Sequence, residues 1–391
     1  ELTKTETSLL KVKNAISQTK FEKLTLGATQ LSDKLTTLSG KLDVISQKTG
    51  MMGTVLTAGI TTPIVAATKS VITFGMEFES SMSKVKALSG ANKQELEQLE
   101  AKAREMGKAT SFTAKDAADG LGYMALAGWN TKQMLEGIEP VLRLAEAGNL
   151  DLATTSDLVT DSMSSLGLEV GDLSEYLDKI ARASSRANTD IDQMLRTYNQ
   201  VGGTFDRLNV PLEESGALIG ILANRGLKAE QAGRATSSLL INLTGGSESA
   251  AKAMKALGVN AYDSKGKFKG VEKVLKELHG ELYKVEDGTR KYTDAQVDNY
   301  LRMIGGKTQI RTLDAMLNGV TKTTADGTTE FRALKKELVE SEGALQDMAN
   351  VMKDNLKGDW EKLTSAVGEL ALQFWDLLQP ALRDITQKFT D

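Results

Sequence analysis

Residues 92–128 read NKQELEQLEAKAREMGKATSFTAKDAADGLGYMALAG, and this stretch decides the fold. Asn92 stands three residues before Glu95, the spacing at which a side-chain oxygen and an acid cap each other's backbone amides at a helix start. Gly107 is placed to close that helix. Thr113 with Asp116 repeats the device, and its helix is expected to end near Gly128. Thr131, the Thr154–Thr155 pair with Asp157, and Thr189 with Asp192 repeat it again, at lags of about 34 to 42 residues, the length of a helical hairpin. The expectation is a compact bundle of short helices over 76–250, with side-chain identity too weakly repeated for a regular solenoid.

Composition points the same way. Of 391 residues, 40 % are hydrophobic, 26 % charged and 5 % aromatic, with 4 prolines, a soluble mixture in which Ala, Leu, Glu, Lys and Gln favour helix over strand. The predicted class is all-α, extended coiled-coil-like arms flanking a compact multi-helix core, with one small β-hairpin. Lys and Arg number 48 against 52 Asp and Glu, a net charge of −4, so no overall basic field invites nucleic acid. Cysteine is absent, which removes disulfides, thiolate zinc sites and cysteine nucleophiles. The single histidine, His279, makes a two-histidine metal site within one chain impossible, and no cofactor is expected.

In the amino-terminal segment 1–48, apolar residues step by three and four through Phe21, Leu24, Ala28, Leu31, Leu35, Leu38, Leu42 and Ile45. Such a narrow stripe is best buried against partner helices. Two readings stand: self-association of copies, or an amphipathic helix lying on its own domain. Segment 49–75 begins with twenty uncharged residues, TGMMGTVLTAGITTPIVAAT, close to the length that crosses a bilayer. Six of the twenty are threonine and Pro63 interrupts them, which favours a buried helical hairpin over a permanent membrane span. The candidate membrane-contacting side chains are Val55, Leu56, Ile60, Pro63, Ile64, Val65, Val71, Ile72 and Phe74.

Segment 251–325 is read as helical, with AYDSKGKFKG around Asp263 and Gly266 as its hairpin. In 326–391 a second heptad series runs Phe331, Leu334, Leu338, Ser341, Leu345, Met348 and Met352. It continues after a shift through Leu356, Trp360, Leu363, Val367, Leu370, Phe374 and Leu377, with Pro380 expected to end or kink it. The candidate oligomer seam is Leu24, Leu31, Leu35, Leu38, Leu42 and Ile45 together with Leu356, Trp360, Leu363, Val367, Leu370 and Phe374. Apolar periodicity persists at Leu382, Ile385 and Phe389, and residue 1 is Glu with no secretory leader behind it, so a longer parent protein is expected.

Catalytic signals are weak. Gly306-Lys307-Thr308 ends like a phosphate-binding loop, but Leu301 occupies the position of its first glycine. Gly120, Gly122 and Ala125 match a dinucleotide fingerprint in letters, yet the residues before them read as helix where a strand is required. His279 falls at the end of an amphipathic helix that Gly280 is expected to terminate, and the carboxylates form solvated Glu/Lys helix faces. No acid–base pair is isolated, and an enzyme is not expected.

From Phe74 to Asn318 the chain resembles the core region of phage tail tape-measure proteins. The pieces that carry the likeness are FESSMSKVKALSG, AREMGKATSFTAKDAADGLGYMALAGWN, LRLAEAGNLDLATTSDLVTDSMSSLGL, NTDIDQMLRTYNQVGGTF, LIGILANRGLKAEQAGRATSSLL and YDSKGKFKG, in that order. Arg225 and Ala229 depart from it, standing where smaller residues or glycine are expected. The resemblance implies a multi-copy helical protein in the lumen of a tail tube, which sets tube length during assembly and leaves during genome ejection. It implies as partners further copies of the chain, as a trimer or alternatively a hexamer, with tail-tube and tail-tip or baseplate proteins, tail assembly chaperones and the host membrane or envelope. No sequence-specific nucleic acid is implied. A contractile bacteriocin or injection device, or a membrane-active helical scaffold, is the alternative setting.

Overall fold

The computed structural model describes residues 61–306 and 308–390. Sixteen α-helices form among them: α1 (Thr61–Ser89), α2 (Lys93–Ala109), α3 (Ala114–Leu126), α4 (Thr131–Gly148), α5 (Leu152–Leu166), α6 (Leu173–Arg186), α7 (Ile191–Arg207) and α8 (Leu212–Asn224). They continue as α9 (Ala229–Leu243), α10 (Glu248–Ala256), α11 (Val271–Leu282), α12 (Asp294–Gly305), α13 (Ile310–Thr321), α14 (Glu330–Val339), α15 (Ala344–Lys353) and α16 (Leu356–Thr390). The two short strands β1 (Val285–Glu286) and β2 (Thr289–Arg290) pair antiparallel. The class is all-α, as expected.

The capping signals hold where they were strongest. Asn92 and Glu95 form a reciprocal capping box at α2, and Thr113 and Asp116 form another at α3. Elsewhere the cap is a neighbour of the residue expected: Asn130 opens α4, Asp151 opens α5 and Asp190 opens α7, each accepting a hydrogen bond from a backbone amide. An ionised or amide oxygen on a short side chain reaches that amide better than a threonine hydroxyl competing for its own backbone. Thr189 instead lies beside Gln193.

The described residues divide into two compact units, Ser81–Ser365 and a smaller one made of 61–80 with 366–390. In the larger unit α7 packs between α5 and α9. The contact is made by small residues. A Cβ at Gly202 would collide with Ser165, and one at Gly233 would lie 2.5 Å from the Thr197 carbonyl oxygen, so both positions must be glycine for the helices to approach. At that distance hydroxyls bridge backbones: Ser165 Oγ donates to the Tyr198 carbonyl at 3.1 Å, Thr197 Oγ1 to the Ala229 carbonyl at 3.1 Å, and the Thr204 and Ser237 hydroxyls meet at 2.7 Å. Beside this seam Tyr176, Tyr198 and Phe205 stack edge to face at centroid separations of 5.6 and 6.2 Å, and all three are buried. The Tyr198 hydroxyl finds Ser215 at 2.9 Å, which satisfies its polar end.

Helix α6 fixes two later helices through its polar side. Asp178 accepts hydrogen bonds from the Gly343 and Leu345 amides, both at 2.9 Å, at the start of α15. Lys179 donates to the Leu338 carbonyl, and Arg182 to that of Glu340, at the end of α14. An acid at a helix start and cations at a helix end match the two ends of the helix dipole. At this turn the heptad series from Phe331 to Met352 passes from one helix to the next, and Phe331, Leu334, Leu338, Ser341 and Leu345 are buried in the unit that contains them. Three-four spacing serves an ordinary core-facing helix as well as a coil.

At AYDSKGKFKG a minimal antiparallel turn forms: Tyr262 bridges Phe268, the Asp263 and Lys269 amides donate to the Lys267 and Ala261 carbonyls, and the Asp263 carboxylate accepts from the Lys265 and Lys267 amides. The paired strands lie at 285–290, where Asp287 and Gly288 both have positive φ, as a two-residue hairpin turn demands. Pro380 neither ends nor breaks α16, which runs through it to Thr390. Gly280 does not terminate α11, which reaches Leu282, so His279 sits inside the helix with its ring 4.6 Å from that of Tyr283.

Three measurements follow from this packing. Ala229 has φ of +51°, a left-handed conformation that costs an L side chain roughly 1–2 kcal/mol, so Ala229→Gly is expected to raise stability by about 0.5–1 kcal/mol in urea unfolding. Gly233→Ala is expected to lower it by about 2–3 kcal/mol, because the neighbour in the way is backbone. Burial holds the His279 imidazole below its ordinary value of 6.5. The unfolded chain therefore takes this proton first, and the associated stability is complete above pH 6.5 and is lost as pH falls below it. Comparing unfolding of the parent and His279→Gln between about pH 7.5 and pH 5 should show a shallower acid decline in the variant.

Candidate functional site

Helix α16 carries apolar residues on two faces. In the smaller unit one face meets α1: Val71 packs with Phe374 and Leu378, flanked by Ala371 and Leu382. Gly75 of α1 lies against the Trp375 ring and Gly368 of α16 against the Phe74 ring, so each helix offers a glycine where the other presents an aromatic. Glu79 accepts a hydrogen bond from Gln379 at 2.9 Å and pairs with Arg383, which adds a polar edge. Positions 371, 374, 375, 378 and 382 are the broad stripe of a helix packed on its own domain.

The seam read from the sequence occupies mainly the other face. Val367 is exposed, Leu370 is partly buried, and Phe374 alone of these three is buried, at the border with the α1 contact. In the larger unit, at the beginning of α16, Leu356 is 84 % exposed and Trp360 60 % exposed, while Leu363 is partly buried. Val351 and Met352, at the end of α15, are exposed beside them in sequence. The turn between α15 and α16 is held by Asn355, which accepts from the Gly358 amide at 3.1 Å, and by Lys353 paired with Glu361 at 2.7 Å. This end of α16 is therefore fixed in place while its apolar residues stand in solvent. A leucine and a tryptophan of that exposure on successive turns form a patch rather than scattered surface residues.

The rest of the predicted seam, Leu24, Leu31, Leu35, Leu38, Leu42 and Ile45, lies outside the described residues, as do Val55, Leu56 and Ile60. Pro63, Ile64 and Val65 fall in the first turns of α1, a position that tolerates proline because the first amides of a helix have no partner within it. Val71 is buried, and Ile72 and Phe74 are partly buried. Among the described residues no helix is long and apolar enough to cross a membrane. The sequence reading missed Trp375, Leu372 and Leu378, all buried, because a search for strict three-four spacing skips the second face of the same helix. Their signal was the run LALQFWDLL, apolar on every side.

The motifs with catalytic letters have structural places. Gly120, Gly122 and Ala125 lie within α3, where a Cβ at Gly120 would press on Ile138 and Leu152. Gly306 caps the end of α12, and Lys307 is outside the described residues. Among the described residues no group of three or more His, Asp or Glu is arranged to hold a metal ion. An open groove of about 510 Å³ is lined by Lys102, Glu139, Arg143, Ser174, Asp178 and Gln346. Its charges are spent on one another. Lys102 pairs with Glu105 and Glu139, Arg143 with Glu139 and the buried Glu146, and Asp178 with the start of α15.

Comparison with known proteins places this architecture. The family model described as phage-related minor tail protein matches residues 100–306, within the larger unit. The chain is 29 % identical over 352 residues to the tape measure protein of Pneumococcus phage Dp-1, covering 90 % of this chain and 29 % of that relative. It is 26 % identical over 318 residues to the probable tape measure protein of Escherichia phage P2, covering 81 % of this chain and 38 % of that protein. A probable tape measure protein of Clostridium phage phiCD119 is 26 % identical over 165 residues, 41 % of this chain and 17 % of that one. The chain thus spans 17 to 38 % of the length of the curated relatives it matches, and no solved structure matches it. With more than half of its residues inside the family model, the chain belongs to the phage-related minor tail protein family.

Proposed function

We propose that this chain is the folded module of a tail tape-measure protein, held in several copies in the lumen of a phage tail tube, whose complete polypeptide sets tube length during assembly and leaves at genome ejection. The observation that carries the reading is the open apolar face of α16, a fixed helix whose Leu356 and Trp360 are left in solvent by the rest of their unit. Such a face is suited to further helices of a long, multi-chain assembly. The seam residues join copies, as a trimer or alternatively a hexamer. Tube proteins surround them, tip or baseplate proteins meet one end, and assembly chaperones hold the exposed faces before the tube closes.

Proportions in the relatives support placing the ruler outside the module. If 352 residues are 29 % of one relative and 318 are 38 % of another, their lengths are roughly 1,200 and 840 residues, helical spans of about 1,800 and 1,260 Å. In these two relatives the matched parts differ by 34 residues while the whole lengths differ by roughly 380, as expected of a common module attached to a measuring rod. Deleting three heptads from the parent sequence outside these 391 residues should shorten tails by about 32 Å in electron micrographs. Unchanged tail length would reject the ruler, and a density map of the same tails would count the chains.

The seam has its own test. Leu356→Glu combined with Trp360→Glu should leave unfolding free energy within about 0.5 kcal/mol of the parent, since both sites are exposed, while shifting sedimentation toward monomer. Oligomers of undiminished size would remove these residues from the interface. The proposal extends to contact of the uncharged run with the host membrane on ejection. Liposome flotation with and without residues 49–75 checks it, and equal flotation removes that step.

A further inference from the structure

We infer that copies of the chain meet head to tail through charge, the acidic surface of α5 and the start of α6 in one copy facing the basic surface of α11 and α14 in the next. Both surfaces lie within the larger unit, Ser81–Ser365. The inference rests on the proposed reading that several copies sit together, and deepens it by naming a polar contact that involves none of the seam residues.

The acidic surface is written in an uninterrupted stretch. Residues 144–178 hold eight acids and no lysine, arginine or histidine, where the chain's average of 48 cations in 391 residues would supply about four. Six of the acids are exposed: Asp151, Asp157 and Asp161 before and along α5, Glu169 and Asp172 at the short 3-10 turn that follows, and Glu175 in the first turn of α6. Glu175 pairs with Lys179 at 3.0 Å, but among the described residues no cation stands within ion-pair distance of the other five. Their crowding is felt locally. Burial first, then the charges of Asp161 and Asp151, push the Asp157 carboxyl above its ordinary value of 3.8.

The opposite sign gathers where α14 is tied to α11. Residues 263–276 hold five lysines against two acids, and residues 332–336 hold three cations and no acid. Arg332 of α14 binds Glu272 of α11 at 2.7 Å, and the same carboxylate holds Lys276 at 2.6 Å, so one acid answers two cations. Lys273 follows Glu272, and Lys336 lies one turn beyond Arg332, so the bridge brings both lysines to one region of the surface. Lys265 and Lys267 stand in the turn just before α11. All four of these lysines are exposed, and among the described residues none has an acid within ion-pair distance.

Two unlike surfaces on one body decide how copies can meet. A two-fold dimer sets a surface against itself, acid on acid or lysine on lysine, whereas in a ring about an axis each copy turns one surface to the different surface of its neighbour. A closed ring of three or of six is such an arrangement. Unlike charge across the contact steers copies into it and penalises the reversed orientation. The chain's overall charge of −4 conceals this division.

Sedimentation of the full chain at graded concentrations carries the test. Asp157→Lys with Asp161→Lys makes the acidic surface basic, and Lys273→Glu with Lys336→Glu makes the basic surface acidic. Each pair alone sets like charge against like and should weaken association at least tenfold. All four changes in one chain exchange the signs and should restore association to within threefold of the parent, which a folding defect would not do. Mixing the two paired variants should also give association that neither shows alone, since each supplies the surface the other lacks. Raising sodium chloride from about 0.05 to about 0.5 M should weaken association of the parent at least tenfold through screening. Association that neither pair alters overturns this inference and leaves the multi-copy reading standing, and a parent that stays monomeric at every concentration overturns both. Weakening by both pairs without restoration in the exchanged chain also overturns it. A gel shift of double-stranded DNA that Lys273→Glu with Lys336→Glu removes, with sedimentation unchanged, overturns it in favour of a phosphate backbone.

Discussion

Helix α7 meets α5 and α9 across so little side chain that hydroxyls on one helix bond carbonyls on the next, and the larger unit is arranged around that contact. Gly202 and Gly233 set the distance, and Thr197, Ser165 and Thr204 use it. Close helices gain dispersion contacts along their whole length, but only if every polar atom drawn inside finds a partner. Threonine and serine meet both conditions, being small and able to bond a carbonyl one turn back or across the gap. This is the physical use of a composition poor in aromatics. Three large buried rings, Tyr176, Tyr198 and Phe205, pack edge to face beside that contact.

Around this centre the unit is closed by side chains that act at the ends of other helices. Asp178, Lys179 and Arg182 of α6 hold the α14–α15 turn across some 160 positions of sequence, and Glu146 of α4 accepts the Ser111 amide at 2.6 Å between α2 and α3. Each charged group answers a backbone dipole and so loses less on burial than it would facing hydrocarbon. Asp178 also lines the open groove beside Lys102, Glu139 and Arg143, where its carboxylate is already held by the start of α15.

The helical class and the first caps were legible because they are local: Asn92 with Glu95, and Thr113 with Asp116, need nothing beyond three residues. Long-range choices were not. Nothing near Phe331 reveals that Asp178 waits to cap the following helix, so the heptad series alone does not show the corner between α14 and α15. Tyr and Phe flanking a glycine mark the antiparallel bridge at 262–268, whereas the paired strands at 285–290 were passed over because the Asp287-Gly288 pair alone specifies their turn. Ala229 is the instructive departure: the family likeness asked for glycine there, and the backbone adopts the left-handed conformation glycine would favour.

On α16 the legible and the hidden meet. A helix that is apolar on one side only can be finished by the domain it belongs to, and the contact of Val71 with Phe374 and Leu378 does that much. A helix apolar on a second side, with tryptophan and leucine exposed on successive turns, is unfinished by that contact. The transfer free energy of those side chains, about 1.5–3 kcal/mol each when fully buried, remains available to whatever helix covers them. Folding through the first face and any pairing through the second therefore draw on different surfaces of one helix.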